Sequence, residues 1–374
     1  MYRKEIVGER TLERLPELLP DDAENGVAVV GATSYETSGA AGRIKKAVHI
    51  DLRQFVAPSP NPSLEEIRPG INLVRQECPD VVIGVGGGSV LDTAKALSVL
   101  PHQSGSPTEY ISGNKSPECV GTPLIAVPTT AGTGSETTHF ATIYIDNKKY
   151  SLTGSPVYPT GAIVDPTLLE SVPETVRATT GIDALSQAIE SYWSVDSTPA
   201  SRTTAARAIE LAWEHLEEEV TDPTDESRRA LATAAYLAGR SIDVSKTTAC
   251  HSVSYPMTAN FGVVHGAAVA LMLPAFFRFN GEVSSNDCTD PRGSSFVSER
   301  LTELSGILGA NGPDEAAILL TGLLSRIELP TTLVEAGVSD METVIKEGFT
   351  PERMGNNPRN INQDQLRDLL FSLV

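Results

Sequence analysis

The feature that most constrains this chain is an alternation that stops halfway along it. Short apolar runs at Val27–Val30, Ala47–Ile50, Val81–Val85 and Leu124–Val127 each have the length and β-branched character of a buried strand. Turn residues follow three of them. An amphipathic stretch from Ser63 to Cys78, interrupted at Pro69, lies between the second and third. Strands that alternate with helices require a parallel sheet covered on both faces. From Glu174 onward the pattern is helical only, with helices expected over Ile182–Trp193, Ala200–Glu219, Ser227–Ser241 and Pro313–Ile327. The expected architecture is an α/β domain over residues 1–173 followed by an all-α domain over 174–374, divided at Pro173.

Length and charge narrow the class of function. A chain of 374 residues exceeds what one hydrophobic core usually organises, so two domains are expected and no disulfide staple is needed. Cys78, Cys119, Cys250 and Cys288 are widely spaced and form no CxxC pair, which argues against a zinc ribbon. Twenty-nine basic against 48 acidic residues give a formal charge of −19, a field that repels nucleic acid and anionic lipid. The N-terminal residues carry charges throughout, and the longest apolar stretch, Gly266–Phe277, is too short to span a bilayer. A cytoplasmic enzyme or binding protein acting on small molecules is the expectation.

Two glycine-rich turns are the candidate ligand loops. Gly86, Gly87, Gly88 and Ser89 follow the run Val81–Val85 and open a helix expected over Val90–Leu100. Glycines there let a diphosphate approach the backbone, and the helix N-terminus offers free N–H groups. Asp92 and Lys95 follow near one helix face. The structural alternative is a tight turn that needs positive φ. A second loop, Pro128–Glu136, brings Thr129, Thr130, Thr133 and Ser135 after the run Leu124–Val127. The two loops are expected to face each other at the C-terminal edge of the sheet, where ligands bind in open α/β folds. Neither is GxGxxG or a P-loop. The turn Gly31–Ser34 carries no acidic residue to engage a ribose 2′-OH, so NADPH is allowed alongside NADH.

A metal constellation is the third feature. Asp183 is placed at the start of its helix with Gln187 one turn on, and His251 and His265 lie 14 residues apart, separated by Pro256 and Gly262. One carboxylate and two imidazoles can hold a divalent cation with a position open for substrate. Two histidines at loose spacing also fit purely structural roles, so the residues alone leave both readings standing.

Five ordered segments carry a resemblance: GVGGGSVLDTAKA (84–96), PTTAGTGSE (128–136), DPTLLESVPETVRATTGIDALSQAIESY (165–192), HSVSYPMTANFGVVHGAAVALMLP (251–274) and NNPRNI (356–361). Together they resemble the iron-containing, group III alcohol dehydrogenase family, from about Val27 to the C-terminus. The resemblance implies a dehydroquinate-synthase-like fold, with an N-terminal Rossmann-like dinucleotide-binding domain, a C-terminal helical metal-binding domain and an active site in the cleft between them. It implies NAD(P)H and one divalent metal, Fe2+ or Zn2+, as cofactors, and a homo-oligomer such as a dimer. The alternating segment Arg3–Val7 could pair across subunits. Three family ligands match Asp183, His251 and His265. Gln187 stands where the family carries a further histidine, and Tyr255 where many members carry another active-site histidine. Lys149 matches a family lysine near the cofactor, although in the run Asn147–Lys149 it also reads as a solvated charge.

The activity so implied is hydride transfer between the nicotinamide and a metal-polarised carbonyl, with Tyr255 or water handling the proton. The segments around 183–202 and 245–258 resemble the branch of that family that reduces phosphonoacetaldehyde to 2-hydroxyethylphosphonate in antibiotic and other phosphonate biosynthesis. A phosphonate needs cationic partners, and Lys246 and Arg359 are the candidates. A general short-chain alcohol or lactaldehyde dehydrogenase is one alternative, and a sugar-phosphate cyclase of the dehydroquinate-synthase type is another. A nucleotide-binding protein whose metal site has decayed at Gln187 is the non-enzymatic alternative.

Overall fold

The computed structural model describes residues 3–58, 60–146 and 148–374. The chain divides into two compact units, Met1–Pro173 and Glu174–Val374.

The first unit is built on six parallel strands: β1 (Lys4–Val7), β2 (Asn25–Val30), β3 (Asp51–Val56), β4 (Val81–Gly86), β5 (Leu124–Pro128) and β8 (Gly161–Val164). Strands β6 (Phe140–Ile145) and β7 (Lys148–Thr153) form a separate antiparallel hairpin. The sheet order is β3-β2-β4-β5-β8-β1. The chain runs outward from β2 to β3, then returns across β2 to start β4 on its other side. That reversal is a topological switch point, the place where open α/β sheets bind ligands. The central strands β2, β4 and β5 are buried along nearly their whole length, which is why their sequences are continuous apolar runs.

Several sequence expectations are corrected here. Ala47–Ile50 is not a strand: helix α2 (Ala40–Ala47) ends there, after the short α1 (Ser34–Thr37), and the strand is β3. As an edge strand β3 is largely exposed, so its sequence DLRQFV lacks the apolar signature. Helix α3 (Leu64–Glu77) runs through Pro69 without a break and starts at a reciprocal Ser63/Glu66 cap. The hairpin β6–β7 was not anticipated. Lys4–Val7 pairs in parallel with β8 and forms an edge of the sheet. Helix α4 (Gly88–Val99) follows β4, and α5 (Pro107–Ile111) is short.

The second unit is helical throughout its named elements: α6 (Glu174–Trp193), α7 (Pro199–Thr221), α8 (Asp225–Ser245), α9 (Ala249–Phe261), α10 (His265–Gly281), α11 (Ser294–Ile307), α12 (Pro313–Arg326), α13 (Met341–Glu347), α14 (Pro351–Gly355) and α15 (Gln363–Phe371). Helix α10 is apolar on every side over Gly266–Phe277 and lies in the core there, packed by α6, α9, α11 and α12. Its Phe276 and Phe277 are fully buried. Each such side chain contributes roughly 1.5–3 kcal/mol relative to exposure. Among the described residues no helix is long and apolar enough to cross a membrane.

Candidate functional site

In the first unit the two glycine-rich loops start side by side, because Val85 pairs with Val127 and Gly86 with Pro128 in register. The Thr129 amide donates to the Gly86 carbonyl at 3.0 Å. None of Gly86, Gly87 and Gly88 has a positive φ, so the strained-turn explanation of the glycines does not hold. The requirement is closeness: a Cβ on Gly88 would sit 2.6 Å from Thr133 Cγ2, and one on Gly86 would sit 2.6 Å from Val90. The glycines therefore let the loop after β5 close over the N-terminus of α4.

The residues picked out from sequence sort into two groups. Asp92 and Ser135 are bracing groups: Asp92 Oδ1 accepts from Ser135 Oγ at 2.7 Å and Oδ2 from the Thr142 amide at 2.8 Å. Burial raises the Asp92 pKa despite the opposing charges of Lys95 and Lys149 and these hydrogen bonds. Lys149 sits half-buried on β7, while its neighbour Asn147 lies outside the described residues. Lys95 is fully buried and donates to Thr138 Oγ1 at 2.8 Å and the Phe140 carbonyl at 2.7 Å, so it ties α4 to β6. Thr133 packs on Gly88 and accepts from the Ser135 amide at 3.3 Å. Thr129 Oγ1 is buried and finds no hydrogen-bond partner among the described residues. A glycine cradle at the switch point with an orphaned hydroxyl beside it fits a dinucleotide phosphate.

In the second unit, ligand atoms of Asp183, His251 and His265 all lie within 4.8 Å of one another. Asp183 sits in the middle of α6 and not at a helix start, His251 in the first turn of α9 and His265 at the first position of α10. Pro256 lies inside α9, while Gly262 ends it with φ 72°. Gly266 explains how α10 reaches α6: a Cβ there would fall 1.9 Å from the Thr179 carbonyl oxygen. The absence of a side chain after His265 is what lets that imidazole approach Asp183. Tyr255 stacks on the His265 ring at 6.0 Å between centroids, and His251 meets the same ring edge-on at 5.4 Å.

Glu190 was missed in the sequence. It lies seven residues beyond Asp183, two helical turns on the same face, which was the available signal. Its buried carboxylate accepts from the Thr248 amide (3.0 Å), Thr248 Oγ1 (2.6 Å) and the Cys250 amide (3.1 Å), all on Oε1. Oε2 takes the hydrogen bond of His251 Nδ1. That contact fixes the imidazole and leaves Nε2 facing Asp183 Oδ1 at 3.6 Å. This is the carboxylate–histidine arrangement that orients metal ligands. Burial disfavours a charged His251, but the Glu190 and Asp183 carboxylates outweigh it and lift its pKa to about 10. Burial likewise opposes the Glu190 charge, yet His251 and the hydrogen bonds hold its pKa below the usual value.

Gln187 donates through Nε2 to Asp183 Oδ2 at 3.0 Å. Its Oε1 is buried and has no hydrogen-bond partner among the described residues. A clustered carboxylate and two imidazoles, with an orphaned amide oxygen at hand, fit a divalent cation.

The two candidate anion partners differ. Arg359 is consumed by the fold: it donates to Asp287 Oδ2 (2.7 Å), the Phe279 carbonyl (2.6 Å) and Glu282 Oε2 (3.1 Å), and lies over the Phe279 ring. Its guanidinium is paired with two carboxylates, so a phosphonate would have to compete with both. Lys246 is half-exposed and paired with Glu352 at 2.9 Å.

Comparison with known proteins follows the same division. Residues 3–166 match the model described as iron-containing alcohol dehydrogenase, and residues 177–374 match that of the Fe-containing alcohol dehydrogenase family, C-terminal. The chain is 37% identical over 302 residues to the phosphonoacetaldehyde reductase of Streptomyces viridochromogenes, covering 78% of this chain and 75% of that protein. It is 30% identical to the NADPH-dependent butanol dehydrogenase of Clostridium saccharobutylicum, covering 97% of this chain and 94% of that one. Among solved structures it is similar to the sulfoacetaldehyde reductase from Bifidobacterium kashiwanohense in complex with NAD+, with TM-score 0.88, 29% identity and coverage of 99% and 96%.

Proposed function

The chain belongs to the iron-containing alcohol dehydrogenase family and is an NAD(P)-linked oxidoreductase of alcohols and aldehydes, and from that premise we propose that it reduces phosphonoacetaldehyde to 2-hydroxyethylphosphonate. The observation that carries the catalytic part is the meeting of Asp183, His251 and His265 within 4.8 Å. The phosphonate part is supported by the 37% identity to a phosphonoacetaldehyde reductase.

In this reading the first unit holds the dinucleotide, with its phosphates on Gly86–Ser89 and the α4 N-terminus and with Thr129 and Thr130 beside them. Asp92, Thr133, Ser135 and Lys149 shape the loop and its charge. In the second unit Asp183, His251 and His265 hold the metal, with Gln187 Oε1 available as a fourth, neutral donor. When bound, a divalent cation supplies Lewis acidity to a carbonyl oxygen and a reduced nicotinamide supplies hydride. Glu190 keeps a proton on His251 Nδ1, so that Nε2, facing Asp183, is the nitrogen that would ligate as the metal displaces its proton. Tyr255, whose ring stacks on His265, supplies the hydroxyl that would hold or return a proton at the substrate oxygen. Lys246 supplies the cation for the phosphonate.

The test is loss of nicotinamide absorbance when metal-reconstituted protein meets phosphonoacetaldehyde, with acetaldehyde as the uncharged control. Strong preference for the phosphonate supports the reading. Equal turnover keeps the reductase and discards the phosphonate, favouring the short-chain alcohol reading that the butanol dehydrogenase similarity also supports.

A further inference from the structure

Helix α8 ends at Ser245, and the next residue, Lys246, takes φ 59° and ψ −177°. That backbone region is open almost only to glycine. A lysine there is strained, and it persists only if its surroundings hold it.

One side chain reaches the carbonyls on both sides of it. Buried Asn356, which follows α14, donates from Nδ2 to the carbonyls on both sides of Lys246: Ser245 at 2.8 Å and Thr247 at 3.1 Å. Its Oδ1 accepts from Ser194 Oγ at 2.9 Å and the Asp196 amide at 3.0 Å. Ser194 Oγ is also 2.8 Å from the Ser245 carbonyl. Both ends of the amide are used, so it can neither flip nor rotate without losing bonds. The clamped turn continues into Thr248, whose amide and hydroxyl bind Glu190, and then into His251. The backbone that fixes the metal-ligand histidine therefore also fixes where the Lys246 ammonium leaves the chain. That ammonium meets Glu352, which is mostly exposed on α14. An exposed pair of this kind is weak and exchanges readily for a stronger anion.

We infer that Asn356 is a positioning residue that locks Lys246 in its strained conformation as the selector of an anionic aldehyde, with Glu352 holding the ammonium until the substrate's phosphonate replaces it. This rests on the phosphonate reading above.

The experiment compares kcat and KM for phosphonoacetaldehyde and acetaldehyde, with thermal melts, in wild type, K246G, K246R, N356A, E352Q and the K246G/N356A double variant. In K246G the strain is gone, so it melts no lower than wild type, while its selectivity for phosphonoacetaldehyde falls about tenfold or more. K246R retains most of the selectivity, and E352Q lowers KM for the phosphonate. N356A loses selectivity through KM and not kcat, and adds nothing in the K246G background, as required if it acts through Lys246. Should N356A not fold, K246G and E352Q still decide the matter. If wild type prefers phosphonoacetaldehyde and K246G keeps that preference, or N356A lowers selectivity further without Lys246, the inference is overturned and the phosphonate reading stands. If wild type shows no preference, both fall.

Discussion

Replacing Glu190 by glutamine keeps the shape of the side chain and changes two things, its charge and its donor pattern. The carboxylate accepts on both oxygens: four hydrogen bonds on Oε1, from the Thr248 amide and hydroxyl and the Cys250 and His251 amides, and the His251 Nδ1 contact on Oε2. A glutamine amide cannot satisfy both sides. With its oxygen toward Thr248, the NH2 group faces His251 Nδ1, which must then accept, and the ring proton moves to Nε2. Nε2 is the nitrogen that faces Asp183 Oδ1 at 3.6 Å, and once protonated it cannot ligate. In the opposite rotamer the NH2 group meets four donors. Either way at least one charge-assisted hydrogen bond is lost, about 1.5–3 kcal/mol. Outer-shell substitutions of this type weaken metal binding by about 10–100-fold, or roughly 1.4–2.7 kcal/mol, which is the same range. Glu190→Gln is therefore expected to bind Zn2+ or Co2+ correspondingly more weakly in chelator competition, and to melt lower in the metal-free state. Glu190→Ala should lose about 3–5 kcal/mol, since it breaks a buried pair outright. A Glu190→Gln protein whose metal affinity matches wild type within twofold would refute the claim that Glu190 sets the His251 tautomer.

Three further predictions follow from the geometry. Gly266→Ala forces a methyl into the Thr179 carbonyl oxygen, 1.9 Å from the added Cβ; it should cost about 1–3 kcal/mol or more, read as a lower melting temperature with reduced metal content. Gln187→His replaces a neutral amide with an imidazole and should tighten metal binding by about tenfold or more, on the scale that neighbouring groups command; unchanged binding in chelator competition would exclude position 187 from the coordination sphere. Glu136 is buried in the loop after β5, and burial lifts its pKa to about 7 despite its own backbone amide and the charges of Lys95 and Arg3. The folded state therefore keeps a proton that the unfolded chain releases near pH 4.5. Stability should fall by about 3 kcal/mol as pH rises from the ordinary carboxyl value to about 7, with no further loss above it. Glu136→Gln should abolish that slope in melts across the same range.

The sequence by itself determined those parts whose physics is local or periodic. The central strands β2, β4 and β5 were legible because a parallel sheet buried on both faces writes itself as continuous apolar runs. Helices α6, α7, α8 and α12 were legible from their periodicity, while α10, apolar over Gly266–Phe277, carried no amphipathic period; Asp183, His251 and His265 were legible from the segments that carry the family resemblance. The edge strand β3 was not, since exposure lets it be polar, and although Arg3–Val7 alternates like a strand, the partner of β1 was not legible, because β8 lies more than 150 residues away in sequence.

Tertiary structure alone decided the roles of individual polar groups. Asn356 reaches Ser245 across 111 residues, Glu190 reaches Thr248 across 58, and Arg359 is absorbed by Asp287, 72 residues earlier. A hydrogen bond depends on where two atoms end up, to within a few tenths of an ångström, and no spacing along the chain encodes that. Burial follows from composition and period, which survive any reading of the sequence, whereas a donor's partner exists only once distant segments have packed.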